Sequence, residues 1–330
     1  MKQAVPPDMC FRHVVFPDSV GGFRRALNVA PVRRDEATGA LAHTPRHHGP
    51  APVSPEGESF LRWVFAQAGL TFRHYKTETL ARRLPACLRA VRAADVRHAR
   101  SLILRQPHLA WAAVGMLVIG VTSFFRDAAV FEALREDALP DLLARRCREW
   151  ALSGDGSSIG PPLRVWSAGC SDGAELYSVA MLLAEWGALG AGRAELLGTD
   201  CRPDAVARAA AGSFDPGALR NVPPSIRERY CTPDGDVYRV SAQLRHATAW
   251  RTGDVLAAAE PGPWDVVLCR NLAIYLRHDA VAALWTRLAA ALRPGGLLVL
   301  GNAERPVGVR GLVPVGPCLY RRDAGGVADE

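Results

Sequence analysis

From Phe60 onward, apolar residues recur at spacings of three and four in FLRWVFAQAGL, TETLARRL and ACLRAVRAADVRHARSLIL, with arginines on the opposite face. That period predicts amphipathic helices. Pro85 falls inside the run. An interior proline costs about 3 kcal/mol, so several short helices are expected rather than one long one. Ahead of them, residues 1–56 are rich in Pro, Gly and Arg and hold no period, which predicts a disordered tail. After Pro161 the rhythm changes to strand and helix in turn. LRVWSAG reads as a strand and AELYSVAMLLAEW as a helix; ELLGTD and PDAVARAAA repeat the pair. The stretch from Phe214 to Arg251 is less regular, with a turn expected at Thr232-Pro233-Asp234-Gly235 between short β-like runs. WDVVLC is a strand, DAVAALWTRLAAAL a helix, PGG a turn into the strand LLVLG, and CLYRR a last strand. Strands alternating with helices predict an α/β fold with a doubly wound, mostly parallel sheet covered on both faces.

The 330 residues are enough for a small domain beside a larger one, and 49% of them are hydrophobic, which excludes global disorder. Mean hydropathy is near zero. The longest uncharged apolar run, Leu109 to Val121, is too short to cross a bilayer, and the first residues lack an apolar secretion segment. A cytoplasmic protein without membrane insertion is expected. The eight cysteines are scattered without a CxxC pair and the nine histidines form no HExxH, so neither a disulfide scaffold nor a metal is indicated. Charge is uneven: Ser59 to Arg126 holds 11 basic residues against 2 acidic, a local +9, and the remainder is at −2. The basic excess calls for an acidic partner surface or a nucleic acid.

In an open α/β sheet, ligands bind beyond the carboxyl ends of the strands. The first strand ends there in Gly169-Cys170-Ser171-Asp172-Gly173, a glycine turn opening a helix, and the second ends in Asp200. Arg251-Thr252-Gly253-Asp254 closes the expected third strand and Cys269-Arg270-Asn271 the fourth. A glycine loop lets backbone approach a ligand, and a helix start favours a carboxylate. An acid ending the second strand can accept ribose hydroxyls, and Asp254 can accept an adenine amino group. This layout suits a nucleoside carrying an amino acid, as in S-adenosylmethionine (SAM), and the dinucleotide fingerprint GxGxxG is absent. Local alternatives stand beside it: Asp200 as a helix cap, Asp254 as the cap of its own turn, and Glu175 as a partner of the helix dipole. The same glycine turn also spells GxSxG, the nucleophile elbow of hydrolases. That reading needs a later histidine, for which His278 is the only candidate, and no HGGG-like element precedes the elbow.

The chain resembles the CheR family, SAM-dependent methyltransferases that esterify glutamates of bacterial chemoreceptors. The resemblance runs from about residue 58 to 322. It rests on AGLTFRHYKTETLARRL, VTSFFRD, VWSAGCSDGAELYSVAMLL, GTDCRPDAVARAAAGSF, WDVVLCRNLAIYL, LRPGGLLVLGNAE and LYRR. It implies a Rossmann-like SAM domain at 124–330, with a small antiparallel β insert at about 214–250, behind a basic helical domain at 57–123. It implies SAM contacts at Thr122, Arg126, Gly169, Gly173, Glu175, Asp200, Asp254, Val255, Arg270 and Asn271, with Arg126 and Tyr275 nearest the chemistry. The basic helices would then face acidic helices of a chemoreceptor's cytoplasmic part, through Arg82, Arg83, Arg89 and Arg92. Departures are Gly120 for the family asparagine, Ala174 for a loop acid, Leu176 for a proline, Asp254-Val255 for Asn-Leu, and Asn302-Ala303 in the late block. The expected activity is protein-glutamate O-methylation with S-adenosylhomocysteine as product. A non-catalytic SAM-binding or receptor-docking relative, or a methyltransferase for another substrate, is the alternative. No aromatic–basic RNA motif appears, so no nucleic acid partner is expected.

Overall fold

A computed structural model of the chain describes residues 53–118, 120, 122–153, 160–190 and 193–323. The expected disordered tail therefore lies outside the described residues as far as residue 52. Its last two positions are already helical, in α1 (Pro55–Gln67). The reason is a strong start signal. The Ser54 hydroxyl accepts the Gly57 N–H at 3.1 Å, Pro55 opens the first turn, and Glu56 and Glu58 face its positive end. Short helices follow, as the period predicts: α2 (Thr77–Ala81), α3 (Leu84–Ala90), α4 (Val96–Arg105) and α5 (Leu109–Leu117). Pro85 sits in the first turn of α3, where it removes no helical hydrogen bond. The chain breaks again at Arg92, held at φ +55°, and restarts where Asp95 accepts the His98 N–H at 2.8 Å.

The main sheet has seven strands in the order β6-β2-β1-β7-β8-β10-β9. They are β1 (Leu163–Ala168), β2 (Ala194–Asp200), β6 (Thr248–Thr252), β7 (Trp264–Cys269), β8 (Leu292–Leu300), β9 (Leu312–Gly316) and β10 (Leu319–Arg322). The first five named are mutually parallel, whereas β10 runs antiparallel to β8 and β9 to β10. Residues 213–240 form the separate antiparallel insert, with β5 (Val237–Val240) between β3 (Ser213–Phe214) and β4 (Cys231–Asp234). Its turn is Gly235-Asp236, with Gly235 at φ +62°, so Thr232, Pro233 and Asp234 belong to the strand rather than to the expected turn. Strand β9 was not anticipated. It is a mostly exposed edge, which tolerates Pro314.

Helices α6 (Ala128–Ala133) and α7 (Leu139–Ser153), joined by a π-type turn, precede β1; α8 (Ala174–Glu185) follows it. Next come α9 (Pro203–Ala211), α10 (Pro224–Tyr230), α11 (Ala242–His246) and α12 (His278–Ala291). Alternate residues of each central strand serve opposite cores, as a two-residue period requires. Val165, Val266, Leu268, Leu297 and Val299 pack with α6 to α8. Trp166, Val267, Cys269, Leu298 and Leu300 pack with α12 and with α1 to α5. Each large apolar side chain so buried contributes roughly 1.5–3 kcal/mol. The basic helices thus share a core with one face of the sheet. Crossings to both sides of β1 put the switch in chain direction between β1 and β7, and a crevice opens there.

Candidate cofactor site

A cavity of about 320 Å³ fills that crevice, closed on one side by Tyr75 and Arg83 of the helical layer. Its wall at β1 is the loop Gly169–Ser171, with Gly169 at φ +77° and Ser171 at φ +52°. The Gly169 and Cys170 amides donate to the Thr199 carbonyl of β2, tying the two strand ends together. Asp200 ends β2 and is buried. Its Oδ2 accepts the Ser171 N–H at 2.8 Å, and its Oδ1 accepts the Arg202 N–H at 3.0 Å and Nε–H at 3.1 Å. Burial pulls the Arg202 guanidinium down, but the adjoining Asp200 carboxylate outweighs it and the net shift is upward.

Across the switch, Arg270 follows β7 and is buried between two acids. Its Nη1 donates to Glu175 at 3.2 Å, and its Nη2 to Asp127 at 2.6 Å and to the Arg126 carbonyl at 2.7 Å. Glu175 also accepts the Ser167 hydroxyl at 2.9 Å. Burial pushes the Glu175 carboxyl up, against the pull of Arg270 and Ser167. The loop after β7 is held by Glu304, whose buried carboxylate accepts the Asn271, Ala273 and Gly301 amides at 2.8 Å each. Tyr275 on that loop lies under the Arg83 guanidinium, 5.4 Å from ring centre to charge. Its carbonyl accepts the Lys76 N–H at 2.9 Å, so the helical layer is bonded to the same loop. Phe125, Asp127, Ser171 and Asn271 all have φ between +48° and +60°. Such backbone is costly for residues with a Cβ and gathers at working sites.

The cavity brings together Thr122, Arg126, Gly169, Glu175, Asp200, Asp254, Val255, Arg270, Asn271 and Tyr275 of the expected set, with Arg83. Gly173 is not on its wall. That residue turns at φ +88° into α8, and a Cβ there would lie 2.5 Å from the Trp250 ring, so close packing requires the glycine. Arg82, Arg89 and Arg92 stand outside, exposed on the helical layer. Asp254 does cap its own turn, accepting the Leu256 N–H at 2.9 Å. Phe124 and Phe125 are core residues, edge-on to Phe214 and Phe131. The elbow reading fails. Ser171 Oγ donates to the Gly120 carbonyl at 2.6 Å, and among the described residues no histidine lines the cavity. Sequence reasoning missed Tyr75, Arg202 and Glu304 as site residues. Arg202 alone carried a signal, two positions after the strand-end acid. Among the described residues no cluster of His, Cys, Asp or Glu can hold a metal ion, and no helix is long and apolar enough to cross a membrane.

A doubly wound sheet with an acid-walled crevice at its switch defines a nucleoside-binding α/β protein. The family described as "CheR methyltransferase, SAM binding domain" matches residues 120–314. The chain belongs to that family. Among its relatives, a chemotaxis protein methyltransferase of Escherichia coli K12 is 29% identical over 249 residues, covering 73% of this chain and 81% of that one. Chemotaxis protein methyltransferase 1 of Pseudomonas aeruginosa is 32% identical over 199 residues, 58% of this chain and 68% of that one. An uncharacterized 104.1 kDa protein of Rhodobacter capsulatus is 30% identical over 248 residues, 73% of this chain but only 24% of its own length.

The cofactor of the family is SAM, and the wall residues suit it. Three carboxylates, Glu175, Asp200 and Asp254, match a ligand whose ribose, adenine and ammonium groups all donate hydrogen bonds. The Arg126 guanidinium, also on the wall, offers a partner for its carboxylate. Gly169, at φ +77° on the wall, brings backbone close to whatever lies there.

Proposed function

We propose that the chain methylates glutamate side-chain carboxylates of bacterial chemoreceptors, forming methyl esters. The observation that carries this reading is the meeting of Arg83, Arg126 and Tyr275 at one cavity, from the helical layer, the segment before α6 and the loop after β7. We read 57–123 as a receptor-facing helical domain and 124–330 as the catalytic domain. Arg82, Arg89 and Arg92 are exposed on the same helical layer as Arg83, where an acidic helix would dock.

Bound SAM supplies an electrophilic methyl on a sulfonium. A glutamate carboxylate is already ionised at pH 7, so the protein needs no general base. Its work is placement. Arg126 orients the incoming carboxylate, and Tyr275, steadied under Arg83 and by its carbonyl bond to Lys76, limits where that carboxylate can lie. An arginine that paired too tightly would stabilise the ground state and slow attack, so geometry rather than strength is what Arg126 contributes. Arg270 pairs with both Glu175 and Asp127 in the wall and offsets their charge beside the reacting pair.

The purified chain, labelled SAM and chemoreceptor-containing membranes test this. The label should appear on the receptor band and leave as methanol in alkali. Arg126→Ala should lower the rate about a hundredfold, the scale of a lost positioning contact. An alkali-stable label, or label on RNA, would overturn the reading.

A further inference from the structure

A carboxylate offers about four lone-pair positions, two on each oxygen. On Asp200, backbone amides take one per oxygen: Ser171 N–H on Oδ2 at 2.8 Å and Arg202 N–H on Oδ1 at 3.0 Å. The remainder is one position per oxygen, the number that a ribose cis-diol requires. Arg202 Nε–H fills the position on Oδ1, at 3.1 Å. Its Nη2 continues to Ser171 Oγ at 2.9 Å, and that hydroxyl donates to the Gly120 carbonyl at 2.6 Å. Residue 120 has to be glycine for the guanidinium to sit here. A Cβ would lie 2.3 Å from Nη2 and 2.7 Å from Ser171 Oγ. The arginine is buried and forms part of the cavity wall.

We propose that Arg202 is a specificity-determining residue of the cofactor site, occupying on Asp200 one of the two positions that a nucleoside cis-diol takes on binding. Binding then exchanges a guanidinium for a ribose hydroxyl, and Ser171 and Gly120 form the seat from which the guanidinium is displaced. The inference rests on the reading of this cavity as the SAM site. It has a consequence that a purely supporting arginine lacks. A ligand missing the hydroxyl meant for Oδ1 leaves Arg202 in place and loses little, whereas without the arginine the same ligand leaves that position empty.

Calorimetric titration with S-adenosylhomocysteine and its 2′-deoxy and 3′-deoxy analogues tests this on the full chain and on Arg202→Met. The variant should bind S-adenosylhomocysteine about tenfold more tightly, the scale of one hydrogen bond to a charged group. One deoxy analogue should lose less than about threefold on the unaltered chain and about tenfold or more on the variant. Weaker or unchanged binding of S-adenosylhomocysteine by a folded variant would overturn the proposal. So would a loss of about tenfold or more for both analogues on the unaltered chain, a result that depends on no variant. If the unaltered chain binds S-adenosylhomocysteine not at all, the assignment of the cavity itself fails.

Discussion

The two sides of the cavity solve the burial of charge differently. On the β7 side, Arg270 sits between Glu175 and Asp127, and Glu304 gathers three amides. The charges there are paired within the chain before any ligand arrives, although Arg270 Nε has no hydrogen-bond partner. On the β2 side, Asp200 keeps two backbone donors but completes its coordination with a side chain that can leave. Rigid support lies where the reacting groups must be aligned, and exchangeable support where a ligand must be admitted.

The largest effect expected on this contrast is from Arg270→Ala. It leaves two buried carboxylates facing an empty site and should cost about 3–5 kcal/mol in urea unfolding. Its sign with pH is defined. The folded Glu175 carboxyl already titrates above its ordinary range because it is buried. A group raised in this way favours the fold below its unfolded pKa, and that contribution is lost as pH rises through the folded value. Without Arg270 the shift grows, so the variant's penalty should be smaller at pH 5 than at pH 8. Glu304→Ala comes next. Three amides lose their acceptor, and even with water reaching some of them the loss should be about 2–3 kcal/mol, together with weaker S-adenosylhomocysteine binding.

On the other side, Arg202→Met should cost about 1.5–2 kcal/mol, the low end for a lost bond to a charged group, since Asp200 retains the amides of residues 171 and 202. A cost equal to that of Arg270→Ala would erase the contrast between the two sides. Arg83→Ala is the smallest change. It removes one cation–π contact with Tyr275, worth about 0.5–1 kcal/mol. Methyl transfer should fall several-fold while S-adenosylhomocysteine binding holds, which separates placement of the substrate from binding of the cofactor.

Much of this arrangement was legible in the chain. The switch from a helical to an alternating rhythm at Pro161, and the placing of Gly169, Asp200, Asp254 and Arg270 at strand ends, follow from local patterns. What escaped depends on contacts between distant segments. Glu304 acts on amides of a loop formed far upstream, Tyr75 reaches the cavity from a helical layer, and the position of Arg202 requires a glycine at 120. Gly173 was misplaced for the opposite reason. Its motif position was conspicuous, but Trp250, which demands the missing Cβ, comes from β6. Strand β9 was passed over because an exposed edge carrying Pro314 has none of the buried alternation that marks the central strands.

The proposed methyl acceptor is a side-chain carboxylate of a receptor glutamate. Peptide mapping of a chemoreceptor after incubation with the chain and isotopically labelled SAM tests it directly. Label should be confined to glutamate side chains of the receptor's cytoplasmic helices and be removed by mild alkali. Label on another residue type, or an unlabelled receptor beside a chain that binds S-adenosylhomocysteine, would contradict it.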